Sequence, residues 1–285
     1  MLHRSTIQLL RFHFSFFLLP VYLFALSQLA SINWNNAFLV FLILHLLLYP
    51  SSNGYNSYMD KDETPIGGLS KPMQPTEQLF KVTVLMDIFA IVLSIFISMV
   101  FAAGVLLYIL VSRAYSYRGI RVKTYPIMSF LAVFIFQGAL IFFISYHACS
   151  VNKTLIVPVL PLLISSMLIG ALYPLTQVYQ HEDDIKDGVK TLSYVLGKKG
   201  TFIFSIILFL LATVLMYLLF KQNDNLNHFY LYLLCLLPTV LFFLYWMHKV
   251  WINSSAANFK NSLRMNILST LCTTIFFATL IILNH

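Results

Sequence analysis

Carboxylates are scarce in this chain, and eight of its ten lie in two short clusters. A basic segment, SRAYSYRGIRVKTYP, lies between the two clusters in the sequence. Carboxylates coordinate Mg²⁺, the metal bridges phosphate oxygens, and Arg or Lys neutralises the remaining charge. The three segments together therefore predict a site for a diphosphate group. The acidic clusters are Asp60, Asp62, Glu63 and Glu77, and Glu182, Asp183, Asp184 and Asp187.

Helical spacing indicates which polar residues share a face, since residues three or four positions apart lie on one side of a helix. If the second apolar segment continues as a helix past Pro50, it carries a polar stripe that Pro65 would end. A shorter stripe leads to the second cluster, where Asp183 and Asp187 form another pair four apart. We expect these stripes to line a cavity beside the acids; two solvated loops, with His45 as a packing residue, are the alternative. The stripes are His45, Tyr49, Ser52, Asn56, Asp60 and Thr64, and Tyr173, Gln177, Gln180 and Asp184.

The elements that must position these residues are membrane helices. Hydrophobic residues make up 59% of the 285 residues and charged residues only 10%, against about 25% charged in soluble domains. Because backbone groups in lipid must be satisfied internally and the apolar runs lack the alternation of barrel strands, we predict an all-α bundle. It is a polytopic membrane domain of nine helices over residues 1–285. The predicted spans are 12–31, 34–50, 79–98, 100–116, 126–147, 154–178, 201–220, 228–247 and 264–283.

The net charge of +8 follows this topology and does not indicate nucleic-acid binding. With nine spans, every Lys and Arg except Lys153 and Lys221 falls on the side of the N-terminus. The positive-inside rule then predicts a cytoplasmic N-terminus and an external C-terminus. We expect an integral, multi-pass protein of the cell inner membrane, with both acidic clusters at the cytoplasmic mouth of a central cavity.

At the first cluster the chain resembles the UbiA-type prenyltransferase superfamily, which includes related terpene cyclases. Members carry an Asn followed at four-residue steps by two Asp residues after the second helix. Asn56 and Asp60 match that motif, whereas Thr64 takes the third position and Asp62 lies close by. The following GGLSKP is similar to the family's basic, proline-containing tail, which implies that Lys71 contacts phosphate.

The second family motif has two Asp residues four apart, followed by a Gly-x-Lys-Thr ending. Gly188, Lys190 and Thr191 fix its register here, so Asp184 takes the second Asp position and Gln180 replaces the first. A neutral amide cannot supply a carboxylate's charge to Mg²⁺, so either Asp183, Asp187 or Glu182 substitutes or the metal is held more weakly. The basic loop is similar to the family's Tyr-to-Lys segment and implies roles for Tyr115, Arg121 and Lys123.

The resemblance implies Mg²⁺-dependent ionisation of an allylic isoprenoid diphosphate, with Asp60, Asp184, Arg121 and Lys123 as the catalytic residues. The implied metal ligands are Asn56, Asp60, Asp62, Asp183, Asp184 and Asp187. The implied diphosphate contacts are Lys71, Tyr115, Arg121, Lys123 and Lys190. The expected cavity residues are His45, Tyr49, Gln177 and Gln180.

The resemblance leaves two outcomes open after ionisation. The prenyl group is transferred to a lipophilic or aromatic acceptor such as a quinone precursor, or the cation is attacked by double bonds of its own chain and a cyclic terpene forms. A third, non-enzymatic alternative is a transporter whose acids bind a cation. It would require ionisable groups near the bilayer midplane, and only His45 and Asp87 are candidates.

Overall fold

The computed structural model describes residues 1–285, and all its regular elements are helices. Nine helices are long and apolar enough to cross a membrane, which confirms the predicted number and fold class. A tenth, short helix carries the second acidic cluster. The helices are α1 (Arg4–Ser27), α2 (Trp34–Asp60), α3 (Glu77–Ile97), α4 (Met99–Ser116), α5 (Pro126–Cys149), α6 (Val159–Thr176), α7 (His181–Lys186), α8 (Leu192–Gln222), α9 (Leu226–Ile252) and α10 (Phe259–Asn284).

The two spans predicted over 79–116 are separate helices, as expected. Ser98 breaks the chain between α3 and α4 with an extended backbone, and its hydroxyl oxygen accepts a hydrogen bond from the Phe101 amide at 3.0 Å. A serine in this position caps the first free amides of the second helix. The break therefore keeps the basic loop after α4 on the same side as the acidic clusters.

The centre of the bundle is packed by aromatic rings and by close helix contacts. Phe24 of α1 stacks on Phe277 of α10 at 4.5 Å between ring centroids and contacts Phe142 of α5 at 5.3 Å. A Cβ added to Gly138 of α5 would lie 2.5 Å from the Cα of Ser166 in α6. Small residues of this kind let membrane helices approach closely, and here they hold α5 and α6 together beside the central cavity.

The second helix extends past Pro50, as the stripe required, but it ends earlier than predicted. Its last helical residue is Asp60, and Lys61 has a left-handed backbone with φ of 56°. Thr64 therefore lies beyond the helix and outside the stripe, which corrects the expectation that Pro65 ends the helix. The helix also contains a π-helical turn over 43–48, which rotates His45 relative to an ideal α-helical stripe.

The second stripe is likewise not a single helix. α6 ends in a 3₁₀ turn over Tyr173–Thr176, and α7 begins at His181 after an intervening turn. Gly188 then has φ of 72°, a conformation that glycine adopts readily. The second acidic cluster therefore lies on its own six-residue helix between two turns.

A buried ion pair fixes α2 against α3 and α4. Arg113 of α4 pairs with Asp87 of α3, and the Ser51 hydroxyl of α2 lies 2.5 Å from Asp87 Oδ1. The Arg113 guanidinium also lies 4.0 Å from the centroid of the Tyr55 ring, a cation–π distance. The three helices that lead to the first acidic cluster are thus tied together inside the membrane.

Candidate functional site

Asp60 is the centre of the first cluster, and its side chain is only 5% exposed. Asn56, one turn earlier on α2, donates to Asp60 Oδ2 at 2.8 Å and to Ser116 Oγ at 3.0 Å. Lys123 Nζ lies 2.5 Å from Asp60 Oδ1, and Arg121 Nη2 lies 3.9 Å from the same oxygen. The carboxylate is therefore oriented by its own helix and neutralised by the basic loop.

Arg121 joins the two acidic clusters. Its guanidinium pairs with the Asp187 carboxylate and also donates to the Asp187 carbonyl at 2.8 Å. The loop can place it there because Arg121 has a left-handed backbone, with φ of 48°, at the start of a 3₁₀ turn that carries Lys123. The basic loop thus lies between the acids, as the arrangement of the three sequence segments predicted.

Two further carboxyl groups lie in this site without a matching cation. Burial raises the pKa of Asp184 to about 7, against the opposing effect of Lys123, and one of its carboxylate oxygens is buried without a hydrogen-bond partner. Burial, then the charge of Asp60, raises the pKa of Asp62 to about 6. Both groups would be stabilised as anions by an added cation.

This donor set fits Mg²⁺ bound together with a phosphate. No three His, Cys, Asp or Glu side chains converge closely enough to hold a metal by themselves. Mg²⁺ is ordinarily bound by one or two carboxylates plus substrate phosphates and water. Asp184 interacts electrostatically with Asp60, Asp62 and Lys123. Its unpartnered oxygen is the kind of ligand that such a site needs.

Arg11 is a site residue that sequence reasoning missed. It is 5% exposed and donates to the carbonyls of Asn53 and Gly67 at 3.0 and 3.2 Å, with Asn56 Oδ1 at 3.5 Å. A left-handed backbone at Arg11, with φ of 48°, breaks α1 there. Its one sequence signal was a lone Arg directly before the apolar run at 12–31, which also fits an ordinary interfacial anchor.

A central cavity of about 220 Å³ adjoins the first cluster through Asn56, which lines it. Tyr49 lines it too, as do Tyr115 and Tyr173, whose hydroxyl oxygens are 2.5 Å apart. Ten of its 23 lining residues are not hydrophobic. The cavity is therefore amphipathic and opens towards the charged site.

Three expected cavity residues lie outside this lining. His45 is fully buried and stacks on Phe41 at 4.7 Å, because the π-helical turn moves it away from the stripe. Gln177 is buried in the turn after α6. Gln180 donates instead to the carbonyl of Pro65, at 3.3 Å, and so links the second cluster to the loop that follows the first.

The remaining expected residues lie at the edge of the site. Asp183 pairs with Lys186 at 3.2 Å, and this lysine is largely exposed. Lys71 and Lys190 are exposed, and neither forms an ion pair. The inner site therefore consists of Asn56, Asp60, Asp62, Asp184, Asp187, Arg11, Arg121 and Lys123.

Known proteins resemble this chain in sequence pattern and in fold. A family model, the UbiA prenyltransferase family, matches residues 15–270. A UbiA homologue from Aeropyrum pernix K1 in its apo form has 17% identity and a TM-score of 0.70, covering 95% of this chain and 97% of the other. A UbiA homologue from Archaeoglobus fulgidus, bound to GPP and Mg²⁺, has 18% identity and a TM-score of 0.69, covering 97% and 99%.

A digeranylgeranylglyceryl phosphate synthase structure has 20% identity and a TM-score of 0.63, covering 98% of both chains. No curated protein sequence matches the chain at a significant level. The structural likenesses extend over nearly the whole chain, and the family model spans most of it. This integral, multi-pass membrane protein therefore belongs to the UbiA prenyltransferase family.

Proposed function

We propose that this chain, as one domain, is a Mg²⁺-dependent prenyltransferase that ionises an allylic isoprenoid diphosphate and transfers the prenyl group to a lipophilic or aromatic acceptor. The observation that carries the proposal is the convergence of both acidic clusters on the basic loop, with Lys123 on Asp60 and Arg121 on Asp187. The GPP and Mg²⁺ bound to the Archaeoglobus homologue support it. The distribution of Lys and Arg supports a site that faces the cytoplasm.

In this proposal Asp60, Asp62 and Asp184 would bind Mg²⁺ only together with the substrate diphosphate, with one or two carboxylates to each ion. Asn56 orients Asp60, and Asp187 is in support. When bound, Mg²⁺ would draw off negative charge from the departing diphosphate. Lys123 and Arg121 neutralise carboxylates in the ligand-free chain, and the same cations would stabilise diphosphate charge as it develops, which is electrostatic catalysis by groups already in place. Lys71 and Lys190, which have no ion-pair partner, would extend toward the diphosphate from the rim.

The transfer begins when the allylic C–O bond breaks and its electron pair leaves with the diphosphate. A nucleophilic carbon of the acceptor then forms a bond to the allylic carbon and loses a proton to solvent. The cavity supports an intermolecular acceptor, because amide and hydroxyl groups such as Gln137, Ser52 and Ser112 line it beside aromatic rings. A polar acceptor has hydrogen-bond partners there, whereas a cation that cyclises requires protection from such groups.

The transporter alternative has less support in the structure. Asp87, the carboxylate placed deepest in a predicted span, is paired with Arg113 and hydrogen-bonded to Ser51. His45 is enclosed by aromatic rings and does not line the cavity. Neither residue offers a free ionisable group along a polar path through the membrane.

The test is diphosphate release by purified protein given Mg²⁺ and farnesyl or geranylgeranyl diphosphate, with mass spectrometry of the organic extract. We expect little turnover alone and a prenylated product when a hydroxylated aromatic acceptor is added. A cyclic terpene formed without acceptor would replace the transferase with a cyclase. Failure to consume either donor, with every acceptor tried and with Mg²⁺ present, would contradict both enzymatic functions.

A further inference from the structure

A second, smaller cavity of about 40 Å³ continues the central one into the bundle. The two cavities share four lining residues, Phe17, Ile169, Leu172 and Thr270, so these side chains form the junction. The smaller cavity is enclosed by residues of α1, α6, α8, α9 and α10. We call it the apolar branch.

The apolar branch lies deeper in the membrane than the central cavity. On the three helices that line both, its residues lie four to seven positions further from the acidic side, which is roughly 6–10 Å at 1.5 Å per residue. The three helices agree although α6 runs in the opposite direction to α1 and α10. The deepest residue of the central cavity and the deepest residue of the branch are, in that order, Leu18 and Phe24 in α1, Ile169 and Ser165 in α6, and Thr270 and Phe277 in α10.

The lining of the branch is mostly apolar, and most of its hydroxyl groups are already hydrogen-bonded. Three of its hydroxyls donate to backbone carbonyls of their own helices: Ser165 at 2.9 Å, Ser269 at 3.1 Å and Thr273 at 2.6 Å. Thr239 Oγ1 is buried without a partner, and the fifth hydroxyl residue, Thr270, lies at the junction with the central cavity. A bound water needs two to four polar partners, so the branch is suited to hydrocarbon.

We propose that the apolar branch binds the end of the prenyl chain farthest from the diphosphate, so that the protein prefers long isoprenoid donors. This inference rests on the proposed function. With the diphosphate at the acidic clusters, a chain must extend past the central cavity to enter the branch. A geranylgeranyl chain is four times the length of a dimethylallyl group, and only the long chain gains contacts there. Each methylene buried there should strengthen binding of the long chain about fourfold.

The test compares the affinity of non-ionising S-thiolodiphosphate analogues of two lengths, dimethylallyl and geranylgeranyl, for the full-length protein in detergent with Mg²⁺. Thr239→Phe fills the branch from α9, and Val240→Phe adds the same ring to the lipid-facing side of that helix, where Val240 is 47% exposed. We expect Thr239→Phe to lower the ratio of long-chain to short-chain affinity at least tenfold, and Val240→Phe to keep the wild-type ratio.

Leu236→Ala is the opposite change, because it enlarges the branch and should raise the same ratio. Since both analogues carry the same diphosphate, a general folding defect lowers both affinities and cancels in the ratio. An unchanged ratio in Thr239→Phe and in Leu236→Ala overturns the branch assignment while leaving the proposed function intact. If neither analogue binds wild-type protein with Mg²⁺ present, the proposed function itself fails and this inference fails with it.

Discussion

The two acidic clusters meet at one site but are positioned in different ways. Asp60 is the last residue of a 27-residue membrane helix, and its side chain is 5% exposed. Asp183 and Asp187 belong to a six-residue helix and the turn that follows it, and each side chain is 38% exposed. The first cluster is therefore fixed by the fold of the bundle, whereas the second is held largely through ion pairs to the basic loop.

The comparison teaches that a carboxylate's contacts indicate its role better than its place in a motif. Asp60 is oriented by Asn56 and neutralised by Lys123, both of which are nearly buried with it. Asp184 is half-buried, has one buried oxygen without a hydrogen-bond partner, and has a pKa raised to about 7 by burial. Asp183, its neighbour in sequence, pairs with an exposed lysine at the surface.

The largest effect is expected for Asp60→Asn. The amide keeps the shape of the side chain but removes the charge that Lys123 and the metal require, so we expect diphosphate release to fall by about 100- to 1,000-fold. The measurement is the single-turnover rate of diphosphate release at saturating Mg²⁺. Asp224→Asn is the matched control, because Asp224 lies in the loop after α8, at the opposite end of the bundle. A loss below threefold in Asp60→Asn would contradict the fixed role of the first cluster.

Within the second cluster we expect Asp184→Asn to cost about 10- to 100-fold in the same assay. Asp183→Asn should cost threefold or less, because an exposed pair with Lys186 contributes little. The two variants differ by one position and are each other's control. A larger loss in Asp183→Asn than in Asp184→Asn would assign the metal to Asp183 and Asp187. The other face of α7 would then be the one directed towards the site.

Much of this architecture was predictable from sequence. Long apolar runs and the one-sided distribution of Lys and Arg predict nine helices, because lipid solvation is a strong and local constraint. The continuation of α2 to Asp60 follows from residues spaced at helical steps past Pro50. The candidate site residues were predicted from these features together with the family resemblance.

What was not predictable depends on tertiary contacts. The π-helical turn that removes His45 from the cavity has no local sequence signal, and Lys61 ends α2 in a left-handed conformation that a lysine only rarely adopts. Arg11 enters the site because α1 breaks directly at that residue. In each case, packing against another helix or loop overrides the local pattern.

A smaller effect is expected when Gln180 is replaced by Asp, which restores the charge that the second motif lacks. Gln180 already contacts the Pro65 carbonyl in the loop that follows Asp60, so the new carboxylate would lie beside the first cluster. We expect the half-saturating Mg²⁺ concentration to fall about fivefold, which corresponds to about 1 kcal/mol. The measurement is a Mg²⁺ titration of diphosphate release.

Gln180→Asn is the control for this change, since it shortens the side chain without adding charge. A fall in the Mg²⁺ requirement in both variants would indicate that loss of the Pro65 contact is responsible. No change in Gln180→Asp would place residue 180 outside the metal site and would leave the second cluster with Asp184 as its main ligand.

The smallest effect is expected for Arg118→Ala. Arg118 is half exposed and lies 3.4 Å from the same Asp187 carboxylate that pairs with the more buried Arg121. Exposed pairs of this kind contribute about 1 kcal/mol or less, and Arg121 remains in place when Arg118 is removed. The rate of diphosphate release should therefore change by about twofold or less.

Arg118 also donates to the Met59 carbonyl at the end of α2, at 2.8 Å. A loss of tenfold or more, rescued by Arg118→Lys, would mean that this rim contact holds the two clusters together, and that the second cluster depends on the surface of the first as much as on its buried cations.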